Sequence, residues 1–223
     1  QQIEASNTGI AVRKDLAEKY NFDVSKVETI MDLEPFWQAV RDNEKGIYPF
    51  KMSSSSYFVK DALGDKYEEQ APSSVYGATL IRIDYDTLKV SATPDFYGLK
   101  EGAKLAVECG NKGYFRADRA TASDDSADMA AGKYASFTTW YKPGEEAELK
   151  NKTGYDYITK RITESVTTEG TPLSTKTIMS AYTNYPEQSM KFIELLNTDK
   201  EVFNLISFGV EGKHYTWADD EHI

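Results

Sequence analysis

The residues of this chain with the most to offer chemically are aromatic. Fifteen Tyr, ten Phe and three Trp make up 13% of its 223 residues, more than a core of this size strictly requires, so some rings are expected to face a ligand. The stretch ASFTTWYKPGEEAEL, residues 135–149, concentrates the point. A strand-like segment, Tyr134 to Thr139, runs into Trp140 and Tyr141 and is broken at once by Lys142-Pro143-Gly144. Adjacent residues of a regular strand point to opposite faces, so both rings can turn to one side only if the Pro-Gly break ends the alternation.

Other chemistry is thinner. No G-x-G-x-x-G opens a helix, and G-x-x-x-x-G-K-[ST], H-E-x-x-H, C-x-x-C and G-x-S-x-G are all missing. His214 and His222 are the only histidines, which removes most acid/base schemes near neutral pH and leaves carboxylate pairs as the main enzymatic option. With 36 acidic residues, neighbours such as Asp124-Asp125 or Asp84 and Asp86 arise by chance, and a structural or solvated role outweighs catalysis. Asp219 to His222 are four consecutive residues at a chain end, which seldom converge on one ion. Asn151-Lys152-Thr153 matches the glycosylation sequon, a pattern frequent by chance. Cys109 reads as a small core residue. No catalytic residue, metal site or cofactor is assigned.

Composition sets the remaining bounds. A chain of this length buries a core without staples, and one domain over 1–223 is expected. The formal charge of −10 with no basic patch argues against nucleic acid and anionic membrane surfaces as partners. No apolar run approaches the roughly 18 residues that span a bilayer. A single cysteine excludes an intramolecular disulfide and leaves the compartment open. QQIEASNTGI shows neither an initiator Met nor a signal region, so the chain is expected to be a piece of something longer.

The elements that must carry these residues alternate in type. VRKDLAEKY, residues 12–20, predicts a first helix. Asp32 is placed to cap a second, whose Leu33, Phe36, Trp37 and Val40 fall at i, i+3, i+4 and i+7, with Pro35 in its first turn and Gly46 at its end. IYPFKM reads as a short strand before Ser53 to Ser56. Residues 78–83 and 87–92 read as a hairpin. A helix with Leu99, Ala103 and Ala106 on one face follows, then a polar loop, a short helix near 126–131 and the strand into Trp140. A helix at 145–151 comes next. At the tail, Asn184 or Tyr185 caps a helix with Met190, Ile193 and Leu196 turned inward. Asp199 caps another with Val202, Leu205 and Ile206, and Gly209 ends it. The pattern predicts an α/β or α+β domain, of which α/β with a small mixed sheet covered by helices is preferred.

The tail NYPEQSMKFIELLNTDKEVFNLISFGVEGKHY resembles the C-terminal signature of bacterial extracellular solute-binding lipoproteins that serve ABC importers. It carries Pro186, Glu187 and Met190, then Asn197 to Glu201, then Gly209 to Tyr215. VRKDLAEKYNFDVSKVETIMDLEPFWQAVRDNEKGIYP and MAAGKYASFTTWYKPGEEAEL are similar to two further segments of that family, so the likeness covers most of residues 12–215 in order.

The resemblance implies one lobe of a periplasmic-binding-protein-like fold, here the C-terminal, second lobe, with the N-terminal lobe absent. It implies a solute held between two lobes, an ABC permease as membrane partner, a monomeric state, and extracellular or periplasmic placement through a lipidated N-terminus. For such a protein Trp140 and Tyr141 are candidate ligand contacts, since sugar rings stack on flat aromatic surfaces while Tyr hydroxyl and indole N–H bond sugar hydroxyls. Arg116, Asp118 and Tyr57 are further candidates, whereas His214 and Tyr215 read as structural. The expectation is a non-enzymatic receptor for a carbohydrate or oligosaccharide. The alternatives are a carbohydrate-active hydrolase using two carboxylates, a receptor for peptides or amino acids, and a domain that only docks on the permease.

Overall fold

Five residues, Gly9–Arg13, form the strand β1 on which the larger part of the chain is assembled. The computed structural model describes residues 7–52, 67–70, 81–84, 87–92, 99–119, 125–165 and 177–217. Where the sequence places a helix from residue 12, the chain stays extended through Arg13 and turns helical only at α1, Lys14–Lys19. Burial is the reason: all five residues of β1 are covered, so the strand lacks the polar alternation that marks a half-exposed one. β1 pairs antiparallel on both edges, with β5 (Ser136–Thr139) and with β6 (Tyr157–Arg161), which the sequence reading leaves unassigned. Ala11 lies opposite Phe137 on one side and Thr159 on the other.

Alternation along β1 divides the interior in two. Ile10 and Val12 enter a core with Leu16, Phe36, Trp37, Phe50 and Tyr114. Ala11 faces the other way, among Met129, Tyr134, Phe137, Leu149 and Tyr157. The first core is closed by α2, Glu34–Asn43, which carries Pro35 in its first turn and buries Phe36, Trp37 and Val40 at the predicted spacing. Asp32 does not cap α2. It sits in a 3-10 turn, Ile30–Leu33, and its carboxylate accepts the backbone N–H groups of Glu28 (2.9 Å) and Thr29 (2.7 Å).

The IYPFKM segment meets the residues before β5 in a single parallel bridge, Tyr48 with Tyr134, and the strands of the sheet itself are antiparallel where the sequence suggests a mixed sheet. Tyr48 donates to the Lys133 carbonyl at 2.7 Å and accepts from Ala135 at 2.9 Å. α3, Leu99–Asn111, turns Leu105, Ala106 and Cys109 toward the core, while Ala103, expected on that face, is exposed. Burial pushes the Cys109 thiol up to about 11, as befits a packing residue. A second antiparallel sheet joins β2 (Tyr67–Gln70), β3 (Ile81–Asp84) and β4 (Val90–Ala92). Its β3–β4 pair, with Ile81 opposite Ala92, is the expected hairpin, and β2 is an addition to it. α4 (Ser126–Ala130) and α5 (Glu145–Thr153) pack on the second core through Met129 and Leu149.

The chain divides into two compact units, Gln1–Pro172 and Leu173–Ile223. The second unit holds α6 (Pro186–Thr198), capped by Tyr185 with Pro186 in its first turn, and α7 (Lys200–Ser207). Asp199 accepts the backbone N–H groups of Glu201 and Val202 as expected, and Gly209 ends α7 with φ +89°. His214 braces the following turn by accepting the Val210 N–H at 2.9 Å through Nδ1. Met190, Leu205 and Ile206 do not point into an interior: they are 54%, 55% and 60% exposed. Two short helices have too little surface to enclose an apolar stripe.

Trp37 joins the layers, since its buried Nε1 donates to Ser136 Oγ at 2.9 Å and that hydroxyl donates to the Pro49 carbonyl at 2.7 Å. Trp37→Ala is expected to remove about 3–5 kcal/mol of unfolding free energy, measured by urea denaturation.

Candidate ligand-binding site

β5 ends at Thr139, and the two rings stand just beyond it: Trp140 is 65% exposed and Tyr141 38% exposed. The break that follows is stapled to α5. Gly144, at φ +79°, is the residue from which the helix springs, a conformation glycine adopts without strain. Thr139 Oγ1 donates to the buried Glu145 at 2.7 Å, and Lys142 pairs with Glu148. Glu145, Glu146 and Glu148 occupy the first turn of α5 and Lys150 and Lys152 its last, the charge order a helix dipole favours. Lys142 holds the Glu148 carboxyl below its usual range through their hydrogen bond.

Tyr141 is anchored from across the sheet. Its N–H donates to Asn7 Oδ1 at 3.0 Å and its carbonyl accepts from Asn7 Nδ2 at 3.1 Å. Gly9, next to it on β1, has no room for a side chain, because a Cβ there would lie 2.8 Å from Tyr141 Cβ. Ser165 Oγ accepts from Asn7 Nδ2 at 3.3 Å and from Arg161 Nη1 at 3.2 Å, so the end of β6 is tied to the same place. The site therefore presents two rings beside an amide, a hydroxyl and a guanidinium, groups suited to a polyhydroxylated ligand. Sequence reasoning finds the rings but not Asn7, Gly9, Arg161 or Ser165. Their partners lie up to 158 residues away, and no local pattern marks them.

Arg116 and Asp118, also predicted, belong to a different constellation. Arg116 Nε and Nη2 grip Asp118 at 2.7 and 2.9 Å, while Nη1 donates to Asp128 at 2.6 Å and to the Tyr134 hydroxyl at 3.0 Å. Lys133 reaches Asp128 at 2.6 Å and Lys51 lies 3.7 Å from Asp125. Hydrogen bonds from Arg116 hold the Asp118 carboxyl low, those from Lys133 do so for Asp128, and burial pushes the Tyr134 hydroxyl up to about 12. Arg116 thus fastens the polar loop to α4 and to the residues entering β5. Tyr57 lies outside the described residues. The sequon falls on the last turn of α5, with Thr153 buried and bonded to the Leu149 carbonyl. Among the described residues no group of three or more His, Cys, Asp or Glu is placed to hold a metal ion, and no helix is long and apolar enough to cross a membrane.

No protein-family model matches the sequence. The chain is 25% identical over 213 residues to a carbohydrate ABC transporter substrate-binding protein of Streptococcus pneumoniae, covering 95% of this chain and 42% of that protein. Among solved structures, the N-glycan transport solute binding protein NgtS of S. pneumoniae superimposes with a TM-score of 0.77 at 22% identity, over 98% of this chain and 48% of that one. The same protein in complex with Man1GlcNAc gives 0.73 at 24% identity, over 97% and 47%. The chain spans just under half the length of these relatives. Over nearly its whole length the chain is similar to a carbohydrate ABC transporter substrate-binding protein, and its fold is that of about half of a solute-binding protein, as expected of one lobe. The relatives named are substrate- or solute-binding proteins.

The Arg116 network carries a pH dependence whose sign is fixed. Asp118 and Asp128 have lowered pKa values in the folded chain, so their contribution is complete above the ordinary aspartate value, about 3.9, and is lost as pH falls through the lowered ones. Arg116→Met is expected to lower Tm at pH 7 and to flatten the fall of Tm between about pH 5 and pH 2, measured by circular dichroism melts across that range.

Proposed function

We propose that this chain takes part in capturing a glycan for an ABC importer, as one lobe of a two-lobed solute-binding protein whose ligand lies against Trp140 and Tyr141. The observation that carries the reading is the exposed aromatic pair fixed at the end of β5, in a chain homologous to a carbohydrate ABC transporter substrate-binding protein. Stacking suits a sugar ring because its C–H face is apolar while its rim is hydroxylated, and an indole with its N–H beside a phenol with its hydroxyl answers both needs. Arg116 and Asp118 enter this proposal as the frame of the neighbouring loop, since the guanidinium already makes four hydrogen bonds within the chain.

The same reading supplies the partners and the place. The glycan-loaded protein would deliver to the importer's permease, as a monomer, from the outer side of the membrane and through a lipid anchor N-terminal to this chain. It makes no use of a cofactor. Man1GlcNAc, bound by NgtS in its solved complex, is the first ligand to try.

Calorimetric titration of the longer protein that carries this chain is expected to show saturable binding of Man1GlcNAc, recovered unchanged by chromatography. Trp140→Ala should weaken it by about 5- to 30-fold, the loss of one ring's stacking at roughly 1–2 kcal/mol, and leave the unfolding free energy within about 0.5 kcal/mol because the ring is exposed. Release of a new reducing end would point to a hydrolase instead. Binding of peptides or amino acids and no sugar would overturn the substrate class.

A further inference from the structure

We propose that Asn7 is the positioning residue of this site: its side-chain amide takes the place of a strand partner for Tyr141 and sets where the two rings stand. The inference rests on the glycan reading above. It begins with register. The β1–β5 ladder pairs Gly9 with Thr139, and continuing it by two residues sets position 7 against position 141. In an antiparallel pair of that kind two backbones exchange N–H and C=O. Here the exchange is made by a side chain, with Asn7 Oδ1 accepting the Tyr141 N–H at 3.0 Å and Nδ2 donating to the Tyr141 carbonyl at 3.1 Å.

An amide is the right group because it alone offers both an acceptor and two donors on a short stem. The second Nδ2 proton serves Ser165 Oγ at 3.3 Å, which also accepts from Arg161 at 3.2 Å. A single carboxamide thus joins the strand end of β5 to the segment after β6. Gly9 completes the device from below, since a Cβ there would meet Tyr141 Cβ at 2.8 Å and the Lys160 carbonyl at 3.2 Å. With the backbone of Tyr141 held by Asn7 and pressed on Gly9, the preceding Trp140 stands clear of the sheet, 65% exposed. The Pro-Gly break releases the chain from strand geometry, and Asn7 determines where it goes next.

Three substitutions in the longer protein, with Man1GlcNAc as probe, separate this from a general structural role. Asn7→Ala should speed hydrogen exchange at the Tyr141 amide and weaken glycan binding about tenfold. Asn7→Asp should keep the amide protected, because an acceptor remains, while still losing affinity. If Asn7 acts through the two rings, Asn7→Ala in a Trp140→Ala, Tyr141→Ala background should cost almost nothing further, a coupling that simple loss of stability would not produce. Unchanged affinity and unchanged Tyr141 exchange in Asn7→Ala would overturn the proposal, as would full additivity with the double substitution of Trp140 and Tyr141. Absence of glycan binding by the unsubstituted protein would sink the glycan reading instead, and the exchange measurement would still decide whether Asn7 anchors Tyr141.

Discussion

The structure depends on β1 being hydrogen-bonded along both edges and buried on both faces. Each of its residues pairs with β5 or β6; Ile10 and Val12 enter one core and Ala11 the other, while the Arg13 guanidinium pairs with Asp15 and lies over the Tyr155 ring. Backbone groups shut away from water must be paired, so the two flanking strands follow from the burial of the first. The ends of those strands are then fixed in space. The start of β1 and the ends of β5 and β6 meet at one edge, and there Asn7, Tyr141, Arg161 and Ser165 come together. Positions 7, 141 and 165 come together because one five-residue strand holds the three segments side by side.

The same residue type serves opposite ends depending on what its polar atom finds. Trp37 is fully buried and its indole N–H has a built-in acceptor in Ser136 Oγ. It is a keystone of the first core. Trp140 stands mostly in water on a chain break, where its indole face and N–H are open to a ligand. Tyr134 and Tyr141 repeat the contrast: the first is buried with its hydroxyl taken up by Arg116 and Asp125, the second lies on the rim. Charge is spread in the same spirit, with exposed pairs that contribute little individually and one denser network around Arg116.

Much of this was legible in the sequence where the pattern is local. The 3.6-residue spacing of Phe36, Trp37 and Val40 gave α2, and Pro186 and Asp199 marked the starts of α6 and α7. The Pro-Gly break puts the Trp-Tyr pair at a strand end, and it lies just past Thr139, the last residue of β5. What stayed hidden is non-local or fully buried. β1 has no alternation to display, β6 is half polar, and Asp32 caps the turn before its helix rather than the helix itself. Arg116 and Asp118 were visible as polar loop residues, but only geometry shows them spending their hydrogen bonds on each other. The spacing shows the apolar stripes of α6 and α7 but not how far each is covered: Ile193, Leu196 and Val202 are half-buried while Met190, Leu205 and Ile206 are exposed.

The most direct test of the account is a crystal structure of the longer protein with Man1GlcNAc bound. The account predicts a sugar ring lying flat against Trp140 or Tyr141, with the Tyr141 backbone still held by Asn7. A glycan bound elsewhere, with both rings left in solvent, would contradict it.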